Sequence, residues 1–132
     1  MLIEWQEAWL LGEDRIDAEH LALVATINAL YAAAEHAEGR EGIFALLLEL
    51  VERTKRHFAY EEQLMESHEY PGIAPHRQQH RKLLSVVDDV MQNVSGLDSE
   101  VLLRSVGTFD EWFIAHVETD DLALGRFLVA RG

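Results

Sequence analysis

The sequence predicts an all-α protein, an up-and-down antiparallel four-helix bundle with an N-terminal arm and a short C-terminal helix. Apolar residues recur at helical spacing in four long stretches, and no stretch shows the two-residue alternation of a β-strand. The breaks between these stretches are only a few residues long, as is usual between antiparallel neighbours in a bundle. We therefore expect residues 1–132 to form a single domain.

The boundaries of the predicted elements follow from capping residues and breaks. Trp5 and Trp9 do not fit the bundle pattern, so we expect their segment to pack as an arm over one end. Asp17 is the predicted N-cap of the first helix, Pro75 suits the first position of the third, and Asp98 is the predicted N-cap of the fourth. The predicted arm, four helices and C-terminal tail cover residues 1–17, about 18–36, 43–67, 75–94 and 99–118, and 122–130.

Composition excludes several classes of protein. The chain has 24 acidic and 11 basic residues, a formal charge of −13, which disfavours nucleic acid and anionic membranes as partners and favours a monomer. It contains no cysteine, which excludes disulfides, iron–sulfur clusters and thiolate zinc sites. The start of the chain lacks a secretion signal, and no apolar run reaches the ~20 residues of a spanning helix, so we expect a cytoplasmic protein.

Five of the seven histidines and a few acidic residues are spaced like metal ligands. They occur in four separate segments as His20, His57 with Glu61, His76 with His80, and His116 followed by Asp120 and Asp121. Two side chains four residues apart share one face of a helix, and imidazole and carboxylate groups are typical ligands of transition metals. Burying these groups together without a metal would be costly, because each needs polar partners. His36 and His68 are expected to be ordinary, half-buried histidines.

The number of donors favours two metal ions over one. Seven protein ligands exceed the four that a structural zinc accepts, whereas two ions that share bridging carboxylates use all seven and leave one position open. The second bridging carboxylate remains a choice between two neighbours. Helical periodicity alone selects Asp120, four residues after His116, unless the helix ends or tightens just after His116, which would select Asp121.

A wider pattern of residues surrounds these ligands along nearly the whole chain. It comprises Trp5, Gly12, Ile16, Asp17, His20, Asn28, His57-Phe58, Glu61-Glu62, Met65, Tyr70-Pro71, His76, His80, Trp112, His116 and Asp121. This pattern resembles that of the bacterial hemerythrins, or bacteriohemerythrins. The resemblance implies Asp121, rather than Asp120, as the second bridging carboxylate.

The resemblance also implies a cofactor and a function. The cofactor is a pair of oxo- or hydroxo-bridged iron ions, one held by His76, His80 and His116 and the other by His20 and His57, with Glu61 and Asp121 bridging them. Dioxygen then binds reversibly at the two-histidine iron, for transport, storage or delivery. Iron enters only through the resemblance, since imidazole-rich sites also suit zinc, copper and nickel.

The resemblance further implies an apolar oxygen pocket formed by Leu23, Phe58, Phe113 and Val117. The family commonly has leucine at the position of Phe113 and isoleucine at that of Val117. Our hypothesis is that Phe113 narrows the cavity on the oxygen side and slows exchange of the gas.

Three further residues are candidates for the surroundings of the site. Trp112 and Tyr60 could touch the ligands, although core packing explains both about as well. Glu19 precedes His20, where the family often carries glutamine, and we expect it to point outward because adjacent helical residues face about 100° apart.

Other functions remain open at the level of sequence. The same centre could sense oxygen or redox state through a partner protein, or could support peroxidase or nitric-oxide chemistry. We expect a binding protein rather than an enzyme. A ferritin-like oxidase is disfavoured because the chain contains no Glu-x-x-His pair, and the His-Glu-x-x-His signature of zinc proteases is also missing.

Overall fold

A computed structural model describes residues 3–35, 40–93 and 99–131, and it confirms the predicted four-helix bundle. The helices are α1 Asp14–Glu35, α2 Arg40–Ser67, α3 Ile73–Asn93, α4 Ser99–His116 and a short α5 Leu122–Arg131. Helix α1 contacts α2 and α4, and α3 contacts the same two helices, so neighbours in sequence are neighbours in space. Within the described residues, no helix combines the length and the apolar character needed to cross a bilayer.

The apolar core is divided into two clusters by a polar layer. The larger cluster includes Leu23, Phe58, Phe113 and Val117, and the smaller one is formed by Leu11, Ile16, Met65 and Leu124. Each main helix passes from one cluster to the other through a predicted ligand: His20 lies between Ile16 and Leu23, and Glu61 between Phe58 and Met65. The predicted ligands therefore lie in a layer between two apolar regions.

Helix α1 begins at Asp14, so Asp17 is not its N-cap. The carboxylate of Glu13 accepts the backbone N–H of Ile16 at 2.7 Å and caps the first turn. Asp17 instead accepts the backbone N–H of Leu11 at 2.8 Å and closes the turn that precedes the helix. Residues 14–17 therefore belong to α1 and not to the arm. Asp17 contacts the loop from within the helix, because a side chain in the first turn can reach back to the preceding backbone.

The predicted end of α2 at Ser67 and the predicted starts of α4 at Ser99 and α5 at Leu122 agree with the structure, whereas two other helix starts differ by a few residues. Helix α2 begins at Arg40 instead of residue 43, and α3 begins at Ile73 instead of Pro75. Pro75 occupies the third position of α3, where the backbone N–H would also lack an intrahelical partner, so the missing donor costs nothing. The predicted N-cap Asp98 and the predicted helix ends at residues 36 and 94 lie outside the described residues.

The N-terminal arm runs along the side of the bundle and not over one end. The amide of Asn28, in the middle of α1, accepts the N–H of Ile3 at 2.8 Å and donates to its carbonyl at 2.9 Å. Further along the arm, Trp9 is buried in the core, and its indole N–H donates to Glu118 at 3.1 Å. An extended backbone can form both hydrogen bonds with one side-chain amide. These contacts place the arm along the side of α1 and α4.

Candidate metal centre

All seven predicted ligands lie together in the polar layer, and each is at most 2 % exposed. They come from all four helices of the bundle and from the turn after α4: His20, His57, Glu61, His76, His80, His116 and Asp121. Their donor atoms form two groups, each with all atoms within 4.8 Å of one another. One group contains three histidines and the other two, and the same two carboxylates, Glu61 and Asp121, belong to both.

The carboxylate of Glu61 directs one oxygen to each group. Its Oε2 lies 2.8 Å from Nε2 of His57 and 3.5 Å from Nε2 of His20. Its Oε1 lies 3.2 Å from Nε2 of His76 and 3.1 Å from Nε2 of His80. Glu61 is therefore oriented as a bridge between the two groups.

Asp121 has the same arrangement. Its Oδ2 lies 3.2 Å from Nε2 of His20, on the two-histidine side. Its Oδ1 lies 3.0 Å from Nε2 of both His76 and His116, on the three-histidine side. The two carboxylates thus form a matched pair across the centre.

These separations fit two metal ions. Two ligand atoms that each lie about 2.1 Å from one ion, at right angles, are roughly 3 Å apart. Several of the atoms are buried and have no hydrogen-bond partner in the described part of the chain: Nε2 of His20, His57 and His116, Oε2 of Glu61, and both carboxylate oxygens of Asp121. Because buried polar atoms almost always have a partner, this cluster fits cations coordinated by nitrogen and oxygen.

A widened helical turn places Asp121 in the centre. Residues Val117–Asp121 form a π-helical segment, in which the N–H of Leu122 donates to the carbonyl of Val117, five residues earlier. Residues five apart then share a face, which aligns Asp121 with His116. The choice of Asp121 agrees with this geometry. The regular α-helix ends at His116, as one of the two predicted alternatives required, but the chain continues in a wider turn and does not tighten.

Charges within the centre oppose the effect of burial. Burial by itself would raise the pKa of Glu61 and Asp121, but the nearby histidines hold both well below their usual range. Burial would likewise lower the pKa of His57 and His76, but the carboxylates raise them to about 10 and about 9. The metal-free centre therefore retains protons on histidine, and metal binding must displace them.

Three of the histidines have a carboxylate at their outer nitrogen, Nδ1. Glu19 lies 2.8 Å from His57, Glu62 lies 3.0 Å from His80, and Asp120 lies 3.1 Å from His116. Such partners fix the orientation of a ligand imidazole and increase its basicity. The roles of Glu62 and Asp120 were not predicted, although the spacing of four between His116 and Asp120 indicated a shared helix face.

The expectation that Glu19 points outward was wrong. Its side chain is 26 % exposed, with one oxygen at His57 and the other 3.1 Å from Nε of Arg15. Glu62 is similar, because Nε of Arg77 lies 3.2 Å from its second oxygen. Helix packing brings the outer nitrogen of each imidazole to the edge of the neighbouring helix, which the periodicity of a single helix does not reveal.

Trp112 and Tyr60 do not surround the ligands. The indole of Trp112 is 38 % exposed, and the ammonium of Lys82 lies 4.4 Å from its ring centroid, at the surface. The hydroxyl of Tyr60 donates to Glu13 at 3.0 Å, near the start of α1. Helical spacing put Trp112 near the face of His116, but the indole lies at the edge of that face.

The four predicted pocket residues are all buried, but they cover different parts of the centre. The ring of Phe113 meets the His20 ring edge-on, with centroids 5.7 Å apart, on the two-histidine side. The ring of Phe58 stacks on His80 at 3.9 Å, on the three-histidine side. Leu23 and Val117 are each 1 % exposed in the same core cluster.

His68, one of the two histidines predicted to lie outside the site, is not part of the centre. Nδ1 of His68 lies 3.0 Å from the backbone carbonyl of Leu64 and is satisfied there. His36 lies outside the described residues.

Comparisons with known proteins agree with this geometry. The model of the hemerythrin HHE cation binding domain family matches residues 11–128. The chain is 31% identical to a bacteriohemerythrin from Ralstonia nicotianae, over 99% of this chain and 92% of the relative. It is 25% identical to myohemerythrin-1 from Phascolopsis gouldii, over 89% of this chain and 87% of the relative. A crystal structure of a leucine-to-phenylalanine mutant has the same fold, with a TM-score of 0.82, 24% identity and 95% coverage of both chains.

Proposed function

Because this chain belongs to the hemerythrin family, we propose that it binds dioxygen reversibly at a non-haem di-iron centre, for transport, storage or delivery. The observation that carries the proposal is the division of the buried donors into two unequal groups that share both carboxylates. Two bridged ions explain this arrangement, whereas a single structural ion leaves donors unused.

Each ligand has a defined role in this proposal. His76, His80 and His116 would hold one iron, His20 and His57 would hold the other, and Glu61 and Asp121 would be shared by both. The second iron would have one protein ligand fewer, which would leave coordination space for a small gas on the side of His20 and Phe113. When bound, the two irons supply the electrons that dioxygen takes up.

The surroundings of the centre favour binding over catalysis. Phe113, Leu23 and Val117 provide an apolar wall that excludes water and protons. Among the described residues, the buried carboxylates besides the two bridging ones are limited to Asp110, six residues before His116 on α4. Because Asp110 is more than one helical turn from His116, we propose that no carboxylic acid among the described buried residues protonates bound oxygen and that the protein is not an enzyme.

Optical spectroscopy tests the proposal directly. Iron-loaded protein is reduced anaerobically, exposed to air, and returned to low oxygen over several cycles. We expect charge-transfer bands that appear with oxygen and disappear on its removal. His57→Gln should abolish the cycle, whereas His68→Gln changes the same residue type outside the centre and should preserve it. Failure of the wild-type protein to bind iron, or bands that never reverse, would contradict the proposal.

A steady-state assay addresses the alternative of catalysis. With hydrogen peroxide and a reducing dye, we expect no turnover beyond that of free iron at equal concentration. Sustained turnover that His57→Gln removes would instead favour a peroxidase. A monomeric state and a cytoplasmic location stay predictions from the sequence.

A further inference from the structure

A small cleft opens on the surface between α1 and α2, just outside the contact between Glu19 and His57. It has a volume of about 160 Å³ and is lined by Arg15, Glu19, Ala22, Arg53 and Arg56. On α1 the lining residues are three or four apart and share one face, and on α2 the two arginines are three apart. The small side chain of Ala22 leaves space between these faces.

The charge of this cleft is opposite to that of the whole chain. Three of the 11 basic residues line it, in a protein with 24 acidic ones. Arg53 and Arg56 are like charges on one helix face, an arrangement that destabilises a helix unless an anion compensates it. Arg15 adds a third positive charge from α1. A generally acidic surface does not explain why three arginines line one cleft.

The acidic residues nearby compensate these arginines incompletely. Glu19 pairs with Arg15 at 3.1 Å, and Glu49 pairs with the Nη2 of Arg53 at 3.2 Å. Glu19 also contacts His57, so its charge is shared. For Arg56, no acidic partner lies within 4 Å in the described part of the chain. The cleft therefore has an excess of positive charge.

One buried donor in the wall of the cleft is also unsatisfied. The Nε atom of Arg53 is buried and has no hydrogen-bond partner among the described residues. Guanidinium groups present several N–H donors in a plane, and they bind oxyanions through paired hydrogen bonds. The side chain of Arg53 as a whole is 39 % exposed, so its unpaired Nε donor, beside two further arginines, suits an oxyanion that enters from solvent.

We propose that this cleft binds a small free oxyanion such as inorganic phosphate. Arg53 and Arg56 hold the anion from α2, and Arg15 closes the site from α1. The volume accommodates an ion of a few heavy atoms but not an extended ligand. Because the cleft lies outside the metal ligands, this proposal does not depend on dioxygen binding.

Equilibrium dialysis with labelled inorganic phosphate tests the site in the metal-loaded protein. Chloride keeps the ionic strength constant, so general screening does not change. We expect saturable binding of one phosphate per chain. Arg53→Gln and Arg56→Gln should each weaken it by about tenfold or more, since each removes a charge-assisted hydrogen bond. Arg104→Gln, which changes an exposed arginine on α4, is the matched control and should bind like the wild type.

Three results would overturn the proposal. They are the absence of saturable binding, binding that persists in the Arg53→Gln/Arg56→Gln double variant, and equal weakening by Arg104→Gln. Circular dichroism and metal content verify that each variant is folded and loaded. Binding that persists in the double variant would assign the phosphate to the metal ions. For the wild type, we expect that adding phosphate leaves the optical spectrum unchanged, because phosphate in the cleft does not touch the metal ions.

Discussion

The metal centre and the Tyr31–Asp110 pair are both buried between helices, yet the acidic groups in these two regions are shifted in opposite directions. Asp110 is 7 % exposed, and its Oδ2 accepts the hydroxyl of Tyr31 at 2.5 Å. Burial raises the pKa of Asp110 to about 6, and the hydrogen bond offsets only part of this effect. In the metal centre, Glu61 and Asp121 are buried even more completely, yet their pKa values are lowered.

The number and charge of the neighbours explain this difference. A single neutral hydroxyl stabilises the charged form of Asp110 too little to balance its desolvation. The imidazoles beside Glu61 and Asp121 stabilise the charged carboxylates through hydrogen bonds and charge, and this more than balances the desolvation. Asp110 is thus stabilised by taking up a proton. The two carboxylates of the centre are stabilised instead by positive charge nearby, from protonated histidines or from metal ions.

Metal removal should produce the largest effect that separates the two regions. Chelation leaves the Tyr31–Asp110 pair intact but replaces bound metal with protons in the centre. Since metal binding to the folded state contributes directly to its stability, we expect the melting temperature to fall by on the order of 10 °C or more. Differential scanning calorimetry of loaded and chelated protein measures the change. Identical melting of the two forms would show that the centre stabilises itself.

A second test exploits the neighbouring aspartates of the widened turn. Asp121→Asn removes a bridging carboxylate, and we expect the metal content to fall to one ion or fewer per chain. Asp120→Asn keeps the bridge and changes only the partner of His116 Nδ1, so two ions should remain, with affinity weakened by about 10- to 100-fold. Elemental analysis and competition with a chelator measure both quantities. The reverse result, with Asp120 essential, would contradict the geometry of the π-helical segment.

The pH dependence of stability tests the other region. The folded pKa of Asp110 lies above its ordinary 3.8, so its contribution to stability is complete below that pH and is lost as the pH rises through about 6. Asp110→Asn has no such titration. Between pH 5 and 8, the free energy of unfolding of the wild type should therefore fall by about 1.5 kcal/mol relative to the variant. Urea denaturation of both proteins checks this, because loss of metal in acid affects them equally. Parallel pH profiles would show that Asp110 titrates normally.

The fold and the ligands other than Asp121 were accessible from sequence because they depend on local spacing, whereas Asp121 was taken from the family resemblance. Histidine and carboxylate four residues apart, as in His57 and Glu61, share a helix face wherever the helix packs. The bounds of α1 were less accessible, since Asp17 is of a preferred N-cap type, whereas Glu13, which caps the first turn in the structure, is not.

Features that depend on two packed helices were not predicted. Glu19 reaches His57 because α1 and α2 are adjacent, and the periodicity of α1 alone placed it in solvent. Likewise, a regular helix cannot align His116 with Asp121, and no residue in the segment 117–121 predicts the wider turn. Tertiary contacts decide both cases.

The smallest effect is expected at the apolar side chains that close the metal centre. The region of the Tyr31–Asp110 pair is more open, because Asp110 lines a groove of about 440 Å³. Phe113→Leu opens space beside His20, and we expect dioxygen to associate and dissociate several-fold faster, a change of about 1 kcal/mol in each barrier. Phe109→Leu is the matched control, because Phe109 is also buried and stacks on Phe113 at 5.9 Å, one helical turn farther from the ligands. Stopped-flow mixing measures both rates. If Phe113→Leu leaves them unchanged, the ring only fills the core; if both variants accelerate exchange equally, general loosening of the bundle explains the effect better than a gate at His20.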